Sequence, residues 1–238
     1  MFINEINFNF QKLSEESYLK KLPYYNTNQI KFNKNIIFLT GDNGVGKTTL
    51  IEALAYNFNL NKYGGSNNFI LDENSEPKIN KFIKVVKSLN KVKDAFFFRS
   101  DTFFNLEIEL NKYGGDLKYQ YSGNKSFKEQ SHGESFMSFF KNRIRENGLY
   151  FFDEPETALS FDNQILFLFL LKQFEDNNNQ IFIITHSPIL LSYPNAQIIN
   201  INKDKINELN YEDTEQFVNL KDFLNNYKIY QREILNFK

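Results

Sequence analysis

The chain has 238 residues, enough for one sizeable core but not for two large domains. Its 28 Lys and Arg against 29 Asp and Glu give a formal net charge of -1, which excludes a global positive field that would attract nucleic acid or an anionic membrane. The absence of cysteine excludes disulfides and cysteine-based zinc sites. The start, MFINEINFNF, does not resemble a signal peptide, and no apolar run approaches the roughly 20 residues of a membrane span. We therefore expect a cytoplasmic protein without a membrane span.

Five continuously apolar runs predict strands that are buried on both faces of a mainly parallel sheet. They cover residues 35–40, 94–99, 148–153, 180–185 and 196–201. Apolar residues between these runs recur at helical spacing: Leu50, Ile51, Leu54 and Phe58 in one segment, and Phe136, Phe139, Phe140 and Ile144 in another. The alternation predicts one α/β domain over 1–238, in which helices flank the sheet. Residues of about 60–145 are assigned to a small peripheral helical lobe, with a helical-looking Lys-rich stretch at 78–93.

A glycine-rich loop follows the first apolar run and precedes the first amphipathic segment. Its sequence, GDNGVGKT at 41–48, fits the pattern G-x-x-x-x-G-K-[ST] of a phosphate-binding P-loop. Glycines let the backbone wrap a polyphosphate, and the helix that follows adds a partial positive charge. Lys47 is predicted to contact the β- and γ-phosphates and Thr48 to ligate Mg²⁺. The predicted nucleotide-binding residues are Gly41, Asp42, Asn43, Gly44, Val45, Gly46, Lys47, Thr48 and Thr49.

An acidic pair ends the third apolar run, in LYFFDEPETALS. Carboxyl ends of parallel strands line the ligand crevice in such sheets. Asp153 is therefore predicted to hold Mg²⁺ opposite Thr48, and Glu154 to orient and deprotonate the attacking water. Two adjacent carboxylates repel each other unless a cation lies between them, which favours this interpretation. The alternative is a solvated turn in which Pro155 ends the strand.

His186, in THSP, follows the fourth apolar run at the same predicted edge. A histidine there can hydrogen-bond the γ-phosphate or the attacking water, although a structural role is the alternative. The other candidate segment is SHGES at 131–135, which opens a predicted helix. A helix N-terminus is a phosphate site, but Ser131 and Glu134 also fit a purely structural capping box.

The order of these motifs resembles that of the ATP-binding-cassette (ABC) ATPase superfamily, whose signature loop reads LSGGQ or, in its recombination and chromosome-maintenance branch, LSGGE. Ser131, Gly133 and Glu134 match the signature, and His132 replaces its first glycine. More narrowly, the chain resembles a stand-alone ABC-like (AAA family) predicted ATPase through GGSNNF, EQSHGES, GLYFFDEPE and THSPILLSYP, from about residue 18 onward.

This resemblance implies a P-loop NTPase fold, the cofactors ATP and Mg²⁺, and a head-to-tail homodimer with two ATP molecules between its subunits. Ser131, Gly133 and Glu134 of one subunit would then complete the site that holds Lys47 and Glu154 of the other. Residues 157–160 would lie at the same interface. ATP binding would join the two subunits, and hydrolysis would release them.

Two departures from the superfamily pattern concern catalysis. Its usual glutamine is not evident after the second run, where Arg99, Ser100 or Asp101 stands instead. His132 adds bulk where glycine allows close approach, so hydrolysis is expected to be altered and slow. An aromatic residue often stacks on adenine, and Tyr18, Tyr24 and Tyr25 are the candidates, with ordinary packing as the alternative.

The work that ATP drives stays open at this stage. From Lys47 to Ser131 are only 84 positions, too few for the long coiled-coil insertion of chromosome-maintenance ATPases. The leading hypothesis is an ATP-hydrolysing dimerisation switch. The alternatives are the ATPase subunit of an ABC transporter and a non-catalytic ATP-gated scaffold with an unidentified protein partner, and a link to DNA repair or defence stays open. Neither nucleic-acid binding nor a preference for ATP over GTP follows from the sequence.

Overall fold

The structure is a computed structural model that describes residues 1–11, 13, 17–66, 76–100 and 132–237. Its strands are β1 Ile3–Phe8, β2 Gln29–Lys31, β3 Ile36–Gly41, β4 Gly65–Ser66, β5 Ile83–Lys87, β6 Asp94–Arg99, β7 Gly148–Asp153, β8 Gln180–Ile184, β9 Ala196–Ile201 and β10 Ile206–Leu209. Its α-helices are α1 Lys47–Tyr56, α2 His132–Arg143, α3 Phe161–Asp176, α4 Pro188–Leu191 and α5 Glu215–Asn236.

The main sheet has the order β10-β9-β3-β8-β7-β6-β4. Its five inner strands, β9, β3, β8, β7 and β6, run parallel, while β10 and β4 pair antiparallel at the two edges. These inner strands are the five apolar runs of the sequence. All residues of β7 and β8 are buried, as expected for strands covered on both faces. The predicted α/β fold with a mainly parallel sheet is confirmed.

Alternate side chains of the sheet divide the core into two layers. Ile37, Leu39 and Phe182 pack with the buried face of α1. Phe38 and Phe152 point to the opposite layer, where they meet Phe136 and Phe140 of α2, Phe167 and Phe174 of α3, and Leu190 and Leu191 of α4. Edge-to-face and tilted ring pairs, such as Phe98 and Phe136 at 4.8 Å between centroids, fill that layer. The sheet is therefore flanked by helices on both faces.

A second, antiparallel sheet of order β2-β1-β5 lies on the α1 side of the core. Gln180 of β8 joins it to the main sheet, because its side-chain oxygen accepts from the backbone N–H of Phe2 and of Ile3, and its amide donates to the Ile3 carbonyl. Gln197 of β9 makes a similar bridge, accepting from the Asn33 N–H at 3.1 Å and donating to the Lys31 carbonyl at 3.1 Å.

The Lys-rich stretch at 78–93 is not helical as predicted. It forms a 3-10 turn, Lys78–Phe82, followed by strand β5. The β-branched side chains of Ile83 and Val85 alternate with exposed Lys84, and this period of two is typical of a half-buried strand. Of the predicted lobe at about 60–145, residues 67–75 and 101–131 lie outside the described part.

Both predicted amphipathic segments are helical in α1 and α2. Leu50, Ile51 and Leu54 are buried, and so are Phe136, Phe139 and Phe140. Phe58 and Ile144 follow the ends of their helices and are partly buried. In the described part of the chain, no helix has the length and apolarity to cross a bilayer.

Candidate functional site

The phosphate loop joins the end of β3 to the first residue of α1, Lys47. Gly41, Gly44 and Gly46 have φ angles of 116°, 75° and 90°, a region that side chains disfavour. A Cβ on Gly41 would come within 2.2 Å of the Ile201 carbonyl oxygen on neighbouring β9. The glycines thus allow the backbone of the loop to curve. The N-terminus of α1 lies at the end of the loop.

Lys47 is the cation of this loop. Its Nζ donates to the carbonyl oxygens of Gly41 at 3.0 Å and Asp42 at 2.7 Å. Burial lowers the pKa of Lys47, while the charges of Glu154, Asp42 and Asp153 act in the opposite direction. The ammonium group therefore lies at the mouth of the loop, close to the acidic pair.

Thr48 and Asp153 bring the loop and the acidic motif together. The Thr48 hydroxyl donates to Asp153 Oδ1 at 3.4 Å, across 105 residues of sequence. Burial raises the pKa of Asp153 to about 6, against the lowering effects of Arg99 and of the Thr48 hydrogen bond. Thr48, Asp153, Glu154, Arg99 and Ser100 line an open cleft of about 220 Å³.

The donor set of this cleft fits Mg²⁺. A hydroxyl and a buried carboxylate are oxygen ligands, which Mg²⁺ prefers, and a divalent cation would offset the cost of keeping Asp153 ionised. No cluster of three or more His, Cys, Asp and Glu side chains able to hold a metal occurs among the described residues. Mg²⁺ in such a site takes its other ligands from phosphate oxygens and water.

Glu154 occupies a left-handed backbone conformation, with φ 50° and ψ 56°. This conformation is uncommon outside glycine and costs of order 1–3 kcal/mol, so the surrounding structure must impose it. Its N–H donates to the Ile184 carbonyl of β8, and a 3-10 turn begins at Pro155. The turn places Glu154 in the wall of the cleft, beside Thr48 and Asp153.

His186 follows β8 and lies within electrostatic reach of Lys47 and Glu154. Burial and the Lys47 charge lower the pKa of His186, which Glu154 partly opposes, so the ring is neutral at pH 7. Nδ1 lies 3.5 Å from the Gln216 amide nitrogen. Nε2 is buried and has no hydrogen-bond partner among the described residues. Buried polar atoms in proteins nearly always have hydrogen-bond partners, so this exception favours a functional role for His186 over a packing role.

Two residues at this site were not predicted from the sequence. Glu156 accepts the His186 backbone N–H at 2.6 Å through Oε1, and burial raises the pKa of this carboxyl. Gln216, from the first turn of α5, reaches the histidine ring. Glu156 follows the acidic pair by only two residues, so the sequence offered a signal for it, whereas nothing local pointed to Gln216.

The candidates for the missing glutamine are only partly described. Arg99, at the end of β6, lines the cleft, donates to Glu52 Oε1 at 2.5 Å and to the Lys62 carbonyl at 3.0 Å. Ser100 also lines the cleft. Asp101 lies outside the described residues.

The predicted signature residues fall mostly outside the described part of the chain. Ser131 lies outside the described residues, and His132, Gly133 and Glu134 belong to the first turn of α2, with their side chains outside the described part. In the segment 157–160, the Thr157 hydroxyl donates to the Glu154 carbonyl at 2.8 Å, and Ser160 caps α3.

Among the tyrosine candidates for adenine, Tyr24 has a packing role. Its ring is buried and stacks on Phe8 at 5.4 Å, and its hydroxyl donates to the Gly46 carbonyl at 3.1 Å. Tyr18 and Tyr25 are exposed. Val45 of the phosphate loop has a buried side chain, so only its backbone can take part in binding.

Comparisons with known proteins find a family model that matches part of the chain. Residues 128–191, a little over a quarter of the chain, match a family model described as an AAA ATPase domain. The match contains SHGES, the acidic motif and His186, and it confirms the resemblance to an AAA-family ATPase. A search of the curated proteins finds no match.

Solved structures with a similar arrangement include a metal-chelate-type ABC transporter in an inward-facing conformation. That chain is 17% identical, with a TM-score of 0.48, over 92% of this chain and 88% of its own.

Proposed function

We propose that this chain binds and hydrolyses ATP with Mg²⁺, and that ATP binding joins two copies head to tail. The observation that carries the proposal is the hydrogen bond from Thr48 to Asp153, because it places a phosphate loop and an acidic pair from distant parts of the sequence in one cleft. The family match to an ATPase domain supports the same chemistry.

Each residue has a role in this proposal. The loop N–H groups and Lys47 bind the β- and γ-phosphates, and Thr48 and Asp153 hold Mg²⁺, which neutralises charge that develops on the phosphates. Glu154 accepts a proton from the attacking water, and the neutral ring of His186 offers Nε2 to the γ-phosphate or that water. Glu156 positions the histidine segment through the backbone N–H of His186.

The head-to-tail dimer rests on the resemblance of SHGES to an ABC signature. In this arrangement Ser131, Gly133 and Glu134 of the second copy contact the γ-phosphate that lies on the loop of the first. The segment 157–160 begins three residues after Glu154 and is linked to it by the Thr157 hydrogen bond, so a contact with the second copy there would affect the position of the catalytic residue.

The test is steady-state phosphate release by the wild type, Glu154→Gln and Lys47→Ala. Loss of a general base lowers turnover by about 10²–10⁴-fold, so Glu154→Gln should bind ATP but release almost no phosphate. Lys47→Ala should lose binding as well. The matched controls are Glu212→Gln and Lys221→Ala, which change exposed residues outside the cleft.

Undiminished turnover in either cleft variant would refute the assignment. A wild type that binds ATP and dimerises, yet releases no more phosphate than Lys47→Ala, would identify a non-catalytic ATP-gated scaffold instead. Solution mass of Glu154→Gln with and without Mg-ATP tests the dimer, and a monomeric mass in both conditions would contradict it.

A further inference from the structure

The contacts that hold helix α5 on the described part of the chain lie at its first turn. Thr214 caps it by accepting the Phe217 N–H, and the Phe217 ring packs on Tyr211 at 4.9 Å between centroids. From Val218 to Phe237 every residue is exposed except Asn226, which is partly buried. No residue of this fully described helix is buried. A helix of 22 residues, about 33 Å long, thus lacks the tertiary packing that normally stabilises helices.

One side of this helix carries an apolar seam with heptad spacing. Its members are separated alternately by three and four residues, and they are between 40% and 89% exposed. They are Leu220, Phe223, Tyr227, Tyr230, Ile234 and, one residue beyond the end of the helix, Phe237. An apolar repeat of this period fits another helix and not a flat surface or a small ligand.

Seam side chains already contact one another along the helix. The rings of Phe223 and Tyr230 lie 5.7 Å apart, and the Tyr230 hydroxyl donates to Asp222 at 2.6 Å. Fixed rotamers reduce the entropy that a partner helix would have to remove on binding.

The charges along the helix favour a second copy of α5 as the partner and an antiparallel direction for the pair. The turn before α5 and the first half of the helix carry Glu212, Asp213, Glu215 and Asp222 against one basic residue, Lys221, whereas the second half carries Lys228 and Arg232 against one acidic residue, Glu233. Two copies paired antiparallel place each acidic start near the basic half of the other, while parallel pairing would bring the like charges together. Either direction gives the two-fold symmetry that is commonest in homo-oligomers, so the charges decide the direction.

We propose that α5 is a dimerisation helix that pairs antiparallel with α5 of a second copy of this chain, without nucleotide. Leu220 of one copy lies opposite Tyr230 of the other, and Phe223 lies opposite Tyr227. This contact is separate from the ATP-dependent dimer proposed above, because it uses no residue of the cleft.

The first experiment measures solution mass by light scattering, without nucleotide and with a chelator. The wild type should have twice the chain mass. Phe223→Glu together with Tyr227→Glu should raise the dimer dissociation constant about 30-fold or more, since central apolar contacts dominate such interfaces. The matched control is Ile229→Glu, an exposed residue about 120° from Phe223 and about 160° from Tyr227 around the helix, which should leave the dimer intact.

Direction is tested by cross-linking, which is simplified because the chain has no cysteine of its own. An equimolar mixture of Leu220→Cys and Tyr230→Cys should form a mixed disulfide under mild oxidation. Ile234→Cys alone should not, because antiparallel pairing separates its two copies by about 27 Å. Rapid cross-linking of Ile234→Cys to itself would show parallel pairing and overturn the proposed geometry.

A monomeric wild type without nucleotide, or a dimer that the double variant leaves unchanged, would overturn the proposal. The Lys47→Ala background separates the two dimers, because it removes ATP-dependent association only. A dimer in that background that Phe223→Glu and Tyr227→Glu dissociate would support the helix pair even if the ATPase assignment failed.

Discussion

The three glycines of the phosphate loop differ in how much space surrounds them. Gly41 faces the Ile201 carbonyl, and Gly46 faces Leu22 and Tyr24, whose nearest atoms would lie 3.1 Å and 3.3 Å from a new Cβ. At Gly44 nothing in the described part of the chain lies within 4 Å. Replacement of Gly44 therefore adds only backbone strain, whereas the other two also add a steric clash.

Substitution by alanine should destabilise the chain in the order Gly41, Gly46, Gly44. Gly44→Ala should lower the free energy of unfolding by about 1–2 kcal/mol, the cost of a left-handed residue with a side chain. Gly41→Ala should cost about 3 kcal/mol or more, because backbone atoms of β9 must move. Urea unfolding of the three variants measures this order, and equal losses would contradict the role of the neighbouring atoms.

Local motifs explain which site residues the sequence predicts. Lys47 and Thr48 stand in a contiguous strand-loop-helix pattern, and Asp153 ends an unmistakable buried strand. Glu156 and Gln216 act through His186, each from 30 positions away along the chain. The sequence places Glu156 near the acidic pair, but its contact with His186, like that of Gln216, depends on how separate elements pack, and no local pattern encodes that packing.

At the scale of elements, Gln180 and Gln197 connect the two sheets in different surroundings. Gln180 is buried and serves backbone groups of the equally buried Phe2 and Ile3. Gln197 is buried as well, but the backbone groups that it serves belong to Lys31 and Asn33, both exposed, and its amide also donates to Glu208 at 2.8 Å. Water can replace the hydrogen bonds to the backbone of Lys31 and Asn33, but not those to the backbone of Phe2 and Ile3.

Gln180→Leu should therefore lower the free energy of unfolding by about 2–4 kcal/mol, because it leaves buried donors and an acceptor unpaired. Gln197→Leu, the matched control, should cost about 1 kcal/mol. Chemical denaturation of both variants gives the comparison. Similar losses at the two positions would show that burial of the partner backbone does not set the cost.

Periodicity explains which elements the sequence predicts. The five inner strands are continuously apolar because both faces are covered, and this pattern is visible in the sequence. In β5 no side chain is fully buried and two of the five residues are lysines, so the apolar pattern is interrupted and the sequence of the Lys-rich stretch predicts a helix instead. The β2 strand has only three residues, which is too short for any period to appear.

At the scale of the whole molecule, the order of the strands in the main sheet brings the residues of the candidate site together. Because β3, β8, β7 and β6 are neighbours and parallel, their carboxyl ends bring Lys47, His186, Asp153 and Arg99 to one edge of the sheet. The insertion of β8 between β3 and β7 is not encoded in any local pattern. The sequence predicts which residues lie at this edge, but only the structure gives their neighbours.

This arrangement predicts how Mg-ATP changes the stability of the whole molecule. A ligand that binds only the folded state stabilises it by about 2.7 kcal/mol at one hundred times its dissociation constant. For a chain of this size, that free energy corresponds to a rise in melting temperature of about 5–11 °C. Thermal unfolding with and without Mg-ATP measures the shift.

Variants separate binding from hydrolysis in the same experiment. Lys47→Ala should abolish the temperature shift, because the phosphates lose the ammonium group at the mouth of the loop. Glu154→Gln should keep the shift or increase it, since a bound nucleotide that is not hydrolysed stays on the folded protein. The control Glu212→Gln should behave as the wild type. A shift that survives in Lys47→Ala would place the nucleotide outside the loop, whatever the rate of phosphate release.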